Sequence, residues 1–458
     1  MNRIASKRIL IGAVKSGSGK TTLTCAILQA LKKRGLHPVS FKCGPDYIDP
    51  MFHREVLGID SRNLDTYFAG TEGVKHILSE AKEDYAVIEG VMGLYDGAAM
   101  DSTAGSAYEI AKTTGTPIIL IVDASGAGRT ILSVIKGIIL DDNEHLIKGV
   151  ILNKATEKTY RALKEQLNEE ASIIGYFPKN EDLAIKSRHL GLIMPGEIED
   201  IRSGIAAAGD MLEQSVDMQK LIQIMEEASE AACEDIDAMP SRKEGEGLTL
   251  AVARDEAFCF YYRDNLDLFK ELGVKIEYFS PIHDSEVPKN ADGMLLGGGY
   301  PENYLKELSD NKSMLSSVKR VIEKGIPSLA ECGGFMYLHD GIEDCDGRLY
   351  EMAGIIPGKC ARTSGLVRFG YMYVDDAAEQ IPKDDLYMSL VGMKGHEFHY
   401  YDSTANGDSY TLKKPYIEKE WRGIVTRSNG VWGFPHFYYR SSPNFIICFI
   451  RRMKEVRA

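Results

Sequence analysis

Several features are missing from this chain, and each absence closes a line of interpretation. No stretch approaches the ~20 apolar residues that a membrane-spanning helix needs, so no membrane partner is expected. The N-terminal "MNRIASKRILIGAV" starts like a secretory leader, but its apolar run of about six residues leads straight into glycines and Lys20 and reads as a first strand. Positive charge is scarce: 54 Lys and Arg against 67 Asp and Glu leave a net charge of −13, which argues against nucleic acid as a partner. An anionic substrate then needs a local basic pocket within an acidic field. Paired cysteines are absent too. The eight cysteines are scattered with no CxxC pair, which argues against a disulfide framework or a zinc site and for a reducing cytoplasm. There is no internal repeat and no low-complexity tract.

What is present has a rhythm. Apolar runs of the buried parallel type, "RILIGAV", "HPVSFK", "YAVIEG", "PIILIVDA" and "IKGVILNK", alternate with amphipathic stretches such as "TTLTCAILQALKKRG", which Gly35 stops. The alternation predicts a doubly wound α/β sheet. A helical segment is expected around Met211 to Asp235, followed by a breaker-rich linker over Ala238 to Gly247. The rhythm then restarts with "LTLAVAR", "VKIEYFS", "GMLLGGG" and "IPSLAECGG", and becomes strand-rich after about Gly341. Two α/β domains are expected, over residues 1–237 and 248–458, joined by residues 238–247.

Two stretches carry chemistry. "GAVKSGSGKTT" follows the first strand and opens a helix, the context that lets backbone N–H groups close on phosphate oxygens. Gly12, Lys15, Gly17, Ser18, Gly19, Lys20, Thr21 and Thr22 are the candidate ATP-binding residues. Lys20 should reach the β- and γ-phosphates and Thr21 should help hold Mg²⁺. The strict P-loop has glycine where this chain has Val14; the arrangement with Lys15 is the variant found in dethiobiotin-synthetase and cell-division ATPases. Acids follow two further strands: Asp46 and Asp49, with Lys42 and Tyr47, in "KCGPDYIDP", and Glu89 and Asp96 in "VIEGVMGLYDG". In a parallel sheet these loops emerge at the P-loop edge, which favours metal or substrate contacts over solvated loop acids. Asn153 and Lys154 end a later strand, where a base-recognition role and a plain turn both remain open.

The second stretch is "SLAECGGFMYL". Cys332 sits where a strand turns sharply into a helix, and Gly333 and Gly334 permit a nucleophile elbow. The helix N-terminus is expected to lower the thiol pKa. The Gly333 N–H and an amide of "LGGGYPE", from Gly298 or Gly299, are candidate oxyanion donors. Three histidines compete as base: His396 and His399 in "KGHEFHYY", and His436 in "GVWGFPHFYY".

"AVARDEAFCFYYRDNL", "FSPIHD", "LLGGGYPE", "AECGGFMYL" and "GHEFHYY", with "GPDYIDP", "EGVMGLYDG" and "RHLGL" (Arg188 to Leu192) upstream, resemble the cobyrinic acid a,c-diamide synthase family across nearly the whole chain. The resemblance implies an N-terminal P-loop domain of dethiobiotin-synthetase type and a C-terminal class I glutamine amidotransferase domain. It implies ATP as co-substrate, Mg²⁺, L-glutamine as nitrogen donor, and a corrin carboxylate activated as an acyl phosphate. It makes Cys332 the glutaminase nucleophile and His436 its base. It ties Asp46, Tyr47, Asp49, Glu89 and Asp96 to substrate or metal; with the P-loop threonine, Thr21, Asp46 and Glu89 are the metal candidates, Asp46, Tyr47, Asp49 and Asp96 the substrate candidates, and Asn153 a candidate for ATP from its place after a strand. Many class I glutaminases carry a glutamate two residues after that histidine; this chain has Tyr438 there, as the cobyrinate subgroup generally lacks the carboxylate, so what orients His436 is left unassigned. Cobyrinic acid is the implied acceptor, with hydrogenobyrinic acid or nickel-sirohydrochlorin as rivals. A regulatory P-loop ATPase with an inactive amidotransferase-like domain is the rival from another class. A homo-oligomer stays open.

Overall fold

The computed structural model describes residues 2–4, 7–167, 172–179, 195–233, 243–427 and 429–457. The "RHLGL" motif and residues 238–242 of the expected linker lie outside them. The chain divides into two compact units, Met1–Asp237 and Ala238–Ala458.

The first unit is built on seven parallel strands, β1 (Lys7–Ala13), β2 (Pro38–Cys43), β3 (Ser61–Leu64), β4 (Tyr85–Glu89), β5 (Ile118–Asp123), β6 (Ile147–Asn153) and β7 (Ser172–Phe177), in the order β3-β2-β4-β1-β5-β6-β7. Side chains alternate along each strand, so both faces must be covered. Leu10, Ile88 and Leu120 enter one core, while Ile9, Ile11, Val87, Ile119 and Ile121 enter the other. Each such side chain contributes about 1.5–3 kcal/mol on burial, which is why these runs take the centre of the sheet. Helix α1 (Lys20–Lys33) leaves the tip of β1, and α2 (Ile48–Glu55) leaves the tip of β2.

The expected helix over Met211 to Asp235 is corrected. A long helix ends at Ser215, and Asp217 caps a second, Met218–Glu226, by accepting the Lys220 N–H at 2.9 Å. Ala231–Cys233 is then a strand paired antiparallel with Asn2–Ile4. Asp217 favours a cap over helix interior because its carboxylate satisfies a backbone donor there.

In the second unit β8 (Thr249–Ala253), β9 (Lys275–Phe279), β10 (Gly293–Leu296) and β11 (Ser328–Glu331) are parallel. Strand β17 (Gly430–Gly433) joins β11 in parallel, and β16 (Val425–Arg427) closes that edge antiparallel, giving the order β9-β8-β10-β11-β17-β16. The strand-rich remainder forms two antiparallel-rich layers. One of them has the order β15 (Glu420–Gly423), β14 (Tyr410–Lys413), β12 (Arg368–Ala377), β13 (Lys394–His399) and β18 (His436–Phe437). Residues 243–247 form turns of this unit, with the Gly245 N–H donating to Leu272 O at 2.7 Å.

Candidate active site

In the first unit the loop between β1 and α1 is shaped by its glycines and held by side-chain hydrogen bonds. Gly17 and Gly19 have φ of 76° and 90°, left-handed values that favour glycine. Ser18 Oγ donates to Lys15 O at 2.8 Å, and Asn153 Nδ2 reaches from the end of β6 to Ser18 O at 2.7 Å. Asn153 therefore clamps the loop. Gly12 lies inside β1, where a Cβ would come within 2.8 Å of Leu94; Lys15 is exposed and Thr22 half-buried. Lys20 Nζ donates to the Met92 carbonyl.

The acids separate into two groups. The β2–β4 register places Lys42 opposite Glu89, so their side chains share one face. Lys42 Nζ donates to Glu89 Oε1 at 3.0 Å and lies 2.6 Å from Asp49 Oδ2. Thr21 Oγ1 donates to the same Glu89 oxygen at 2.6 Å. His53, one turn after Asp49 on α2, brings Nε2 to 3.6 Å from Glu89 Oε2, and neither atom has a hydrogen-bond partner among the described residues. Glu89 is 0 % exposed; burial, reinforced by Asp49, pushes its carboxyl up to about 7. Burial opposes the Lys42 charge, but Glu89, Asp49 and Asp46 outweigh it and keep that amine charged. One lysine faces two buried carboxylates, with an oxygen to spare on Glu89. That donor set fits a divalent cation held by Glu89 and Thr21.

Asp46, although near enough to act on Lys42, and Asp96 spend a carboxylate oxygen on backbone N–H groups. Asp46 Oδ1 caps α2, accepting the N–H groups of Ile48 at 2.9 Å and Asp49 at 3.1 Å; Tyr47 is buried beside it. Burial, then Asp49, raises the Asp46 pKa. Asp96 Oδ2 accepts the Gly93 N–H at 2.8 Å and so fixes the turn whose Met92 carbonyl holds Lys20. Sequence reasoning passed over His53 and Asn63. His53 carried a signal, the i, i+4 spacing from Asp49. Asn63, which donates to Gly44 O at 2.9 Å and Asp46 O at 2.7 Å, carried none.

In the second unit Cys332 has φ 46° and ψ −102°, between β11 and the helix Gly333–Tyr337. Its N–H donates to Gly433 O at 2.8 Å, and the Gly334 N–H donates to Gly297 O at 2.9 Å. A Cβ on Gly334 would meet Leu296 O at 2.1 Å, so the elbow closes only over glycine. A Cβ on Gly333 would lie 3.2 Å from Gly299 N, so two of the candidate oxyanion residues are neighbours in space. Tyr261 pins that loop, its hydroxyl accepting the Gly297 N–H at 2.8 Å and donating to Ala253 O.

The expected lowering of the Cys332 pKa is corrected. The thiol is 8 % exposed, and burial, with Glu302 and Glu397 nearby, raises its pKa well above the usual range. The short helix cannot offset lost hydration plus two carboxylates. Glu331, one residue earlier, accepts the Tyr439 hydroxyl at 2.6 Å, and burial pushes it up to about 8.

The three histidines differ in their commitments. His399 uses both ring nitrogens, Nδ1 with Tyr401 O at 2.6 Å and Nε2 with Glu397 Oε2 at 2.8 Å, which leaves none for a thiol. His396 Nδ1 is 3.1 Å from the Tyr262 hydroxyl. The His436 ring lies against the Gly298 backbone, where a Cβ would come within 2.3 Å of its Cε1. Burial, then His396 and His399, pulls the His436 pKa well below the ordinary imidazole value.

Residues 9–192 match the model of the CobQ/CobB/MinD/ParA nucleotide binding domain, and residues 249–441 match the CobB/CobQ-like glutamine amidotransferase domain. A nucleotide-binding unit followed by a glutamine amidotransferase unit makes this chain a glutamine-dependent amidating ligase. Three relatives share nearly its full length, and each is named cobyrinate a,c-diamide synthase. The Clostridium tetani protein is 39% identical over 446 residues, 96% of this chain and 98% of that one. The Fusobacterium nucleatum protein is 37% identical over 457 residues (96% and 99%), and that of Picrophilus torridus 38% over 454 residues (98% and 99%). The chain belongs to the cobyrinate a,c-diamide synthase family, as the motifs quoted above imply.

Proposed function

We propose that the chain amidates the a and c acetate carboxylates of cobyrinic acid, using ATP for activation and glutamine for nitrogen. What carries this reading is the strained Cys332 elbow beside the Gly297–Gly299 turn, in one chain with a clamped P-loop. The names of the full-length relatives support the acceptor.

A carboxylate is a poor acyl donor, because its oxygen leaves badly and its charge repels nucleophiles. An acetate oxygen attacks the γ-phosphorus of ATP, ADP departs, and an acyl phosphate remains. Lys20 turns from the Met92 carbonyl to the phosphates, and the amides of residues 17–21 point positive charge at the transferring oxygens. Thr21 and Glu89 would hold Mg²⁺, which when bound would neutralise phosphate charge. Asp46 and Asp49 order the β2 loop, with Tyr47 and Asp96 as further candidate contacts to the acceptor.

Nitrogen is delivered as neutral ammonia, because ammonium has no lone pair to attack with. Burial keeps Cys332 a thiol at rest, so a base must act in the step itself. His436 takes the thiol proton, the sulfur attacks the glutamine carboxamide, and the Gly333 amide with Gly298 or Gly299 receives the oxyanion. The imidazolium returns its proton to the departing ammonia, and water clears the thioester. Ammonia attacks the acyl phosphate, phosphate leaves, and the amide forms.

Mass analysis of the product from glutamine, ATP-Mg and cobyrinic acid tests the reading, with two successive amidations expected. Hydrogenobyrinic acid and nickel-sirohydrochlorin in parallel make the test selective. Turnover of either in preference to cobyrinic acid reassigns the acceptor, and the absence of glutamine hydrolysis removes the reading altogether.

A further inference from the structure

His436 comes from a two-residue strand, too short to hold an imidazole plane by itself. The register of β13 and β18 sets His396 opposite His436, and cross-strand partners share a face. The two rings lie 5.0 Å apart and within 19° of parallel. His396 is held in turn, its Nδ1 lying 3.1 Å from the Tyr262 hydroxyl. The Tyr262 ring meets that of Tyr438 edge-on at 5.8 Å. The Tyr438 hydroxyl donates to Asp264 Oδ2 at 3.2 Å. A series of buried groups thus runs from Asp264 through Tyr438, Tyr262 and His396 to His436. The position where many class I glutaminases carry a carboxylate is spent on bracing this series.

We propose that His396 is the positioning residue for His436: its ring, fixed by Tyr262, sets the plane of the base and presents a π face to the imidazolium that forms there. The inference rests on the reading of Cys332 and His436 as the glutaminase pair. The step it serves is a proton transfer that needs no further reactant. The S–H bond of Cys332 breaks, an N–H bond forms on His436, and the electron pair stays on sulfur. A neutral ring stacked on the new cation stabilises it by cation–π attraction, strongest where water is excluded. A charged ring would repel it, and that repulsion is the sense in which His396 lowers the His436 pKa. Burial, with Lys414 nearby, holds the His396 pKa to about 3 and so keeps it neutral.

The test is steady-state glutamine hydrolysis by the full chain carrying His396→Leu, His396→Phe or Tyr262→Phe, with thermal unfolding as the check on folding. Leucine fills the space without a π face; phenylalanine restores the face. His396→Leu should lower kcat about 10-fold and leave KM within about twofold, the scale of one desolvated cation–π contact. His396→Phe should recover to within about threefold of the natural chain. Natural kcat in His396→Leu, or equal losses in the Leu and Phe variants, overturns the proposal. Should His396→Leu fail to fold, Tyr262→Phe decides. A fall in kcat at constant KM supports the proposal, and natural kinetics overturn it. Cys332→Ala separates the two levels: hydrolysis surviving in that variant removes the glutaminase reading and this inference together. Hydrolysis lost there but untouched in His396→Leu removes only the inference.

Discussion

At the scale of single residues, the two chemistries should part cleanly. Cys332→Ala removes the thiol and should abolish glutamine-dependent amidation while high ammonium still supports the ATP-dependent reaction. Lys20→Ala should do the reverse, with acyl phosphate formation falling by at least about 100-fold and glutamine hydrolysis largely kept. Equal loss with both nitrogen sources in Cys332→Ala would contradict the division. Glu331 gives a stability prediction. Its folded carboxyl titrates at about 8 against an unfolded value near 4.5, so between those values the native state binds the extra proton. Stability therefore falls as pH rises through that window and levels off above it. Glu331→Gln should flatten the decline of Tm measured from pH 5 to pH 9; an unchanged slope would mean that Glu331 stays ionised. The elbow and the glycine loop were legible because each is a run of neighbours in sequence. The state of the thiol was not, because its burial, and the approach of Glu302 and Glu397 from distant segments, arise only in the fold. Nor could spacing alone set His399 aside, since only the fold commits both of its ring nitrogens.

At the scale of elements, the central strands of the first unit could be read and its two edge strands could not. "PIILIVDA" is an unbroken apolar run because its strand is covered on both faces. Strand β3 is "SRNL", short and polar at all but its last residue, and β7 contains Gly175, which looks like a breaker. That glycine is required by packing: a Cβ there would come within 2.6 Å of the Val216 Cα. The strand Ala231–Cys233 pairs with the start of the chain, a partnership no local pattern announces. The link between β6 and the P-loop yields a further prediction. Asn153→Ala leaves the buried Ser18 carbonyl without its donor, a loss of about 1–3 kcal/mol that loosens the loop. KM for ATP should rise about 10-fold while glutamine hydrolysis is unaffected. An unchanged KM for ATP with altered preference among nucleotides would assign Asn153 to the base instead.

At the scale of the whole molecule, each unit has its own sheet and its own pair of cores. Thermal unfolding should resolve into two steps, and ATP-Mg should raise only the one belonging to the P-loop unit, because a ligand stabilises what it binds. A single step moved as a whole by ATP-Mg would show that the units unfold together. The backbone at Cys332 has a consequence for drift across generations. Glycine occupies φ 46° and ψ −102° freely, whereas a cysteine there costs of order 1–3 kcal/mol. The fold therefore pulls steadily against a cysteine at this position, and only selection for turnover opposes that pull. In a lineage supplied with the product from outside, replacement of Cys332 would be tolerated early and rewarded with a sturdier protein.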